Sequence, residues 1–135
     1  MSINVQKDST LAKKNEINFQ DLNGQTIISL ENVGFWSKIY QTDIPDGKLI
    51  FQNHAHEYSE ILNYSSLPFF ITNITPLVEE TDHQWGGNFP RNRITIPIKD
   101  KSAQQKFYAV FLKQNQKRLE PLIKKIQDQW EKVDE

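Results

Sequence analysis

Residues 91–100 read Arg-Asn-Arg-Ile-Thr-Ile-Pro-Ile-Lys-Asp, and their alternation constrains the rest of the chain more than any other stretch. Ile94, Ile96 and Ile98 fall on one side of an extended backbone; Arg91, Arg93, Thr95, Pro97 and Lys99 fall on the other. A period of two with β-branched residues reads as a half-buried strand. It predicts buried isoleucines and exposed arginines. Pro97 has no N–H to donate to a ladder, so the strand should lie at a sheet edge. Such a strand needs a sheet to join and a layer to cover its isoleucines.

Beyond this strand the pattern changes to that of a long helix over residues 102–132. Ser102 with Gln105 three residues later fits a capping box. Leu112, Leu119, Ile126 and Val133 recur seven apart, flanked by Tyr108, Phe111, Leu122, Ile123 and Trp130, which makes an apolar stripe. Pro121 inside it predicts a kink, or a split near Arg118. Asp128, Glu131, Asp134 and Glu135 carry the wrong sign for a helix C-terminus.

Before it, residues 1–15 are polar and read as a flexible arm, with a single globular domain over residues 16–135. Residues 25–30 read as a strand, with Ile28 and Leu30 opposed to Ile27. Residues 35–42 read as a second strand, with Trp36, Lys38 and Tyr40 on one face. Pro45-Asp46-Gly47 is a turn signal, which makes residues 48–53 the other arm of a hairpin. Over residues 54–63 the period changes to three and four, at Ala55, Tyr58, Ile61 and Leu62, which predicts a short helix. Residues 67–75 are apolar on both faces and read as a covered fourth strand. Residues 76–91 form a long connection.

The chain has 135 residues, enough for one domain that buries a core without staples. Charged residues make up 24% and hydrophobic ones 37%, the balance of a folded rather than a disordered chain. A formal net charge of −1 gives no global argument for nucleic acid or acidic lipid, so binding of that kind would need a local patch. The absence of cysteine excludes disulfides, thiolate metal sites and cysteine nucleophiles. No apolar run approaches the roughly 20 residues of a membrane span, and the start lacks a secretory h-region. The expectation is a soluble, cytoplasmic chain with no membrane partner.

Three constellations carry chemistry. His54-Ala-His56 with Glu60, separated from Gly47 by six residues, resembles the first metal motif of cupins, but the second motif has no counterpart. We therefore expect no metal and no other cofactor. Glu79, Glu80 and Asp82 lie beside His83, a carboxylate–histidine grouping suited to acid–base work if buried. With no nucleophile elbow and no phosphate loop, we expect no enzyme. The third constellation mixes aromatic and basic residues. Trp36, Tyr40, Trp85 and Phe89 would stack on bases, while Lys38, Lys48, Arg91 and Arg93 would meet phosphates, as single-stranded nucleic acid requires.

Three strands, a short helix and two more strands is the element order of an OB-fold. Gly87-Asn88-Phe89-Pro90-Arg91, then Thr95-Ile96-Pro97-Ile98-Lys99-Asp100 and Gln104, resembles the phage-type single-stranded DNA-binding proteins. In that family a Gly-Asn-Pro-Arg loop leads into a strand ending Thr-Ile-Pro-x-Lys-Asp. Here the loop-to-strand spacing is shorter, the motif lies late in the chain, and the chain ends Val133-Asp134-Glu135 without a terminal aromatic. The sequence thus predicts an α+β domain: a five-stranded, mostly antiparallel, OB-like sheet, one short helix and a long kinked C-terminal helix. It predicts a non-catalytic binding module for single-stranded nucleic acid. The alternative is a protein-interaction or assembly subunit, docking through the C-terminal helix and the N-terminal arm.

Overall fold

The computed structural model describes residues 1–73 and 92–133. The chain divides into two compact units, Met1–Gln104 and Gln105–Glu135. The end of the expected fourth strand and the whole connection over residues 76–91, with Glu79, Glu80, Asp82 and His83, lie outside the described residues.

The first unit is α+β. Its strands are β1 (Ser2–Gln6), β2 (Thr26–Leu30), β3 (Lys48–Gln52), β4 (Phe69–Ile71) and β5 (Arg93–Pro97), and its helices are α1 (Trp36–Asp43) and α2 (Ala55–Tyr64). The sheet runs in the order β3-β2-β4-β1-β5, open and mixed rather than a mostly antiparallel barrel. β5 does form an edge, as Pro97 predicts.

The expected N-terminal arm instead contributes a central strand. β1 pairs antiparallel with β4 on one side and β5 on the other, setting Ile3 against Phe70 and Ile96, and Val5 against Ile94. Ile3 and Val5 alternate with Ser2, Asn4 and Gln6, so the period-two signal is present within a polar stretch. Both are fully buried.

The expected second strand over residues 35–42 is helix α1. β2 and β3 pair in parallel, from Thr26↔Lys48 to Leu30↔Gln52. Parallel neighbours cannot be joined by a hairpin and need a crossover, which α1 supplies. Trp36, Ile39, Tyr40 and Ile44 fit a helical face as well as residues 35–42 fit a strand. Gly34, at φ 63°, takes the left-handed turn before α1. Pro45-Asp46-Gly47 then turns the helix into β3. A Cβ at Gly47 would come within 2.6 Å of the Ile44 side chain, so the tight return needs glycine.

β4 also runs parallel to β2. The run β2-α1-β3-α2-β4 thus winds both ways from β2, and its helices cover opposite sheet faces. The adjacent residues Phe69 and Phe70 point to opposite faces. Phe70 stacks on Tyr40 of α1 at 4.3 Å, while Phe69 meets Tyr58 of α2 edge-on at 6.5 Å. On the α1 side the core gathers Ile3, Val5, Ile27, Ile44, Ile96 and Ile98, with Ile17, Phe19 and Leu22 from the preceding segment. On the α2 side it gathers Ile28, Leu62 and Phe69.

That second covered face corrects the expectation of exposed arginines. Ile96 and Ile98 are buried and Ile94 packs against them, as the alternation predicts. Lys99 is exposed, but Arg93 is only 8% exposed because its face lies on the α2 side. Its Nε donates to Asn4 Oδ1 at 2.6 Å and its Nη1 to the Ser65 carbonyl at 3.2 Å. Its Nη2 donates to the carbonyls of Asn4 and Leu67.

The helix expected from Ser102 does not start there. Ser102 spends its hydroxyl on the Asp43 carboxylate, in a 3-10 turn over Lys101–Ala103. Residues 104–112 then run without regular structure. In the second unit, a 3-10 turn over Lys113–Asn115 leads into α3 (Gln116–Val133), which continues through Pro121. The break in the expected long helix therefore precedes the proline.

Arg93→Ala leaves Asn4 and two carbonyls without their donor in a buried site. It should lower stability in urea unfolding by about 3 kcal/mol. Lys99→Ala, on the exposed side of the same strand, should stay within about 0.5 kcal/mol.

Candidate interaction surface

The structure does not gather the expected nucleic-acid residues on one face. In a helix, residues 36 and 40 share a side and residue 38 points away. Tyr40 is 3% exposed, and its ring lies nearly parallel to Phe70. Burial pushes its hydroxyl pKa well above the ordinary phenol range. Arg93 is buried on the opposite side of the sheet, over the Phe69 ring at 4.9 Å. Tyr40 and Arg93 are thus core residues on two different faces, which corrects their placement in an open site. Trp36 is half-buried and lies 4.4 Å from the exposed Phe35, the two rings tilted by 36°. Lys38 is exposed on α1, and Lys48 is exposed at the start of β3. Trp85, Phe89 and Arg91 lie outside the described residues.

Strand order marks a switch point between β2 and β4, the place where open α/β sheets form a crevice beyond their carboxyl ends. Among the described residues, no three His, Asp or Glu side chains gather as a metal site. His54 and His56 are both exposed at the start of α2.

The surface that sequence reasoning understated lies in the second unit. Tyr108, Val110, Phe111 and Leu112 are exposed, Val110 by 93%. On α3, Leu122 is 54% and Ile126 45% exposed, beside the half-buried Leu119 and Ile123. The stripe on α3 was legible as a heptad-like recurrence. The stretch ahead of it was absorbed into the same helix, although its run of Phe, Tyr, Val, Phe and Leu between Lys106 and Lys113 is strand-like in composition.

The charges in the first turn of α3 oppose its dipole: Lys117 and Arg118 lie there, while in the last turn Glu131 is followed by Lys132. Cations at the positive end and anions at the negative end each weaken a helix by a fraction of a kcal/mol. Interior proline costs about 3 kcal/mol more. No helix among the described residues is long and apolar enough to cross a membrane.

Fold and surface together describe an open mixed-sheet α+β unit and a second unit that carries exposed apolar side chains. In comparisons with protein families, curated proteins and solved structures, none matches the chain.

If Tyr40 is core, Tyr40→Ala should cost about 3 kcal/mol of folding stability by the loss of a buried aromatic. Lys38→Ala should stay within about 0.5 kcal/mol. Chemical denaturation of the two variants measures both.

Proposed function

We propose that this chain is a non-catalytic interaction or assembly subunit that docks through its C-terminal unit. The observation that carries this reading is the apolar stripe of α3, with Leu122 and Ile126 at its exposed centre. In proteins, most of the stability of an amphipathic helix comes from packing of its apolar face rather than from propensity. This one adds an interior proline and cations in its first turn, so intrinsic preference does not account for it. Packing against a partner does: burying a leucine or isoleucine is worth about 1.5–3 kcal/mol each. The N-terminal residues take no part in this docking, because they form a central strand.

A photo-reactive residue at position 126 of the full chain, expressed in its own cells, should form protein adducts that Leu122→Asp abolishes. The same probe at the exposed Gln20 should not form them. Equal yields at the two positions would remove the reading.

A second reading, single-stranded nucleic acid, is favoured by one observation. The Phe35 and Trp36 rings lie 4.4 Å apart at the start of α1, tilted by 36°, with Lys38 exposed on the same helix. In this reading bases stack on the pair and Lys38 meets a phosphate. Fluorescence anisotropy with an unstructured oligonucleotide at two salt concentrations tests it. Trp36→Ala should weaken binding by about 1–3 kcal/mol per stacked base, and no binding at low salt would eliminate it.

A further inference from the structure

We infer that residues 108–112 of one copy add as a strand to the β3 edge of a second copy of this chain. The inference rests on the assembly reading and names the partner of one part of that surface. Three observations support it.

The first is the edge. β3 ends the sheet with a single described neighbour, β2. The opposite edge is blunted by Pro97, exposed on β5. β3 has no proline, and two of its large apolar side chains, Ile50 at 39% and Phe51 at 38%, are exposed. Natural edges of that kind are paired, covered or charged. Only Lys48, at the first position of β3, supplies a charge.

The second is the segment. Tyr-Ala-Val-Phe-Leu has high β-propensity, no charge, no proline and no glycine. It runs between Gln104, at φ −114° and ψ 120°, and Leu112, at φ −67° and ψ 135°, both extended. No β-ladder among the described residues includes it. Lys106 and Lys113 bracket it, in the position of residues that guard an obligatory apolar strand against uncontrolled pairing.

The third is the match between them. β3 has 5 residues, and the segment supplies a strand of equal length. Strand addition satisfies the unpaired backbone groups of both and places alternate apolar side chains beside Ile50 and Phe51. Reciprocal donation between two copies closes the assembly as a twofold dimer.

The absence of cysteine makes the test direct. Single variants Ile50→Cys and Val110→Cys of the full chain are mixed and oxidised under mild conditions. Expected is a disulfide between the two different chains, in yield at least tenfold above that of a Gln20→Cys and Val110→Cys mixture. Light scattering of the unaltered chain should give the mass of two copies. Val110→Pro, which removes a ladder donor outside the folded core, should return it to a monomer with an unchanged circular dichroism spectrum of the sheet unit. A monomer at high concentration with no mixed disulfide overturns the inference. So does a dilute double variant that links only within one chain. If adducts at position 126 persist in that case, the assembly reading stands with a different partner; if they are absent too, both fall.

Discussion

The first unit depends on one buried guanidinium. Arg93 sits in β5, bonds the side chain and the carbonyl of Asn4 in β1, and reaches the carbonyls of Ser65 and Leu67 between α2 and β4. It also lies over the Phe69 ring. A charge in such a place is tolerable only when its donors find acceptors. Burial pulls its pKa down, yet an arginine starts so high that it remains charged. The consequence is directional. Asn4, itself buried in the middle of the sheet, takes its position from Arg93 and from Thr95 Oγ1, to which its amide donates at 3.3 Å. The polar face of β1 is therefore specified by β5, so the first and fifth strands in sequence become neighbours through one network as well as one ladder.

Much of this frame was legible in local sequence. The alternation at Ile94, Ile96 and Ile98 located β5, Pro97 located the edge, and the change of period at Tyr58, Ile61 and Leu62 located α2. The failures have a common physical source, because pairing partners decide what a local pattern means. Trp36, Ile39 and Tyr40 satisfy a strand or a helix equally well. The parallel pairing of β2 with β3 selects the helix, since parallel strands need a crossover. Ile3 and Val5 carried a two-residue signal that their polar neighbours obscured, and only the ladders on both sides give it meaning. Ser102 fits a helix cap in isolation, but Asp43, distant in sequence, holds its hydroxyl.

The site was less legible than the fold for the same reason. Trp36, Lys38 and Tyr40 make one face only if the backbone is extended, and Arg93 faces water only if its side of the sheet is bare. Both premises fail when helices cover both faces of the sheet. Tyr40 and Arg93 then belong to packing, while Trp36, Lys38 and Lys48 keep access to solvent without sharing a face.

The two units thus differ in how they satisfy the same physical demand. The first buries most of its apolar surface internally, leaving Ile50 and Phe51 at the β3 edge: α1 covers one face of the sheet, α2 covers the other, and Arg93 resolves the polar groups caught between. The second has too short a chain to do so. Taken by itself, its described regular structure is mainly one helix with a single apolar stripe, and two layers are the minimum for a core. Its extended residues have strand chemistry but no ladder among the described residues. Each feature is half of a familiar interaction, a stripe without its groove and a strand without its sheet. In the reading proposed above, association supplies the missing surface and couples folding of the second unit to finding its partner.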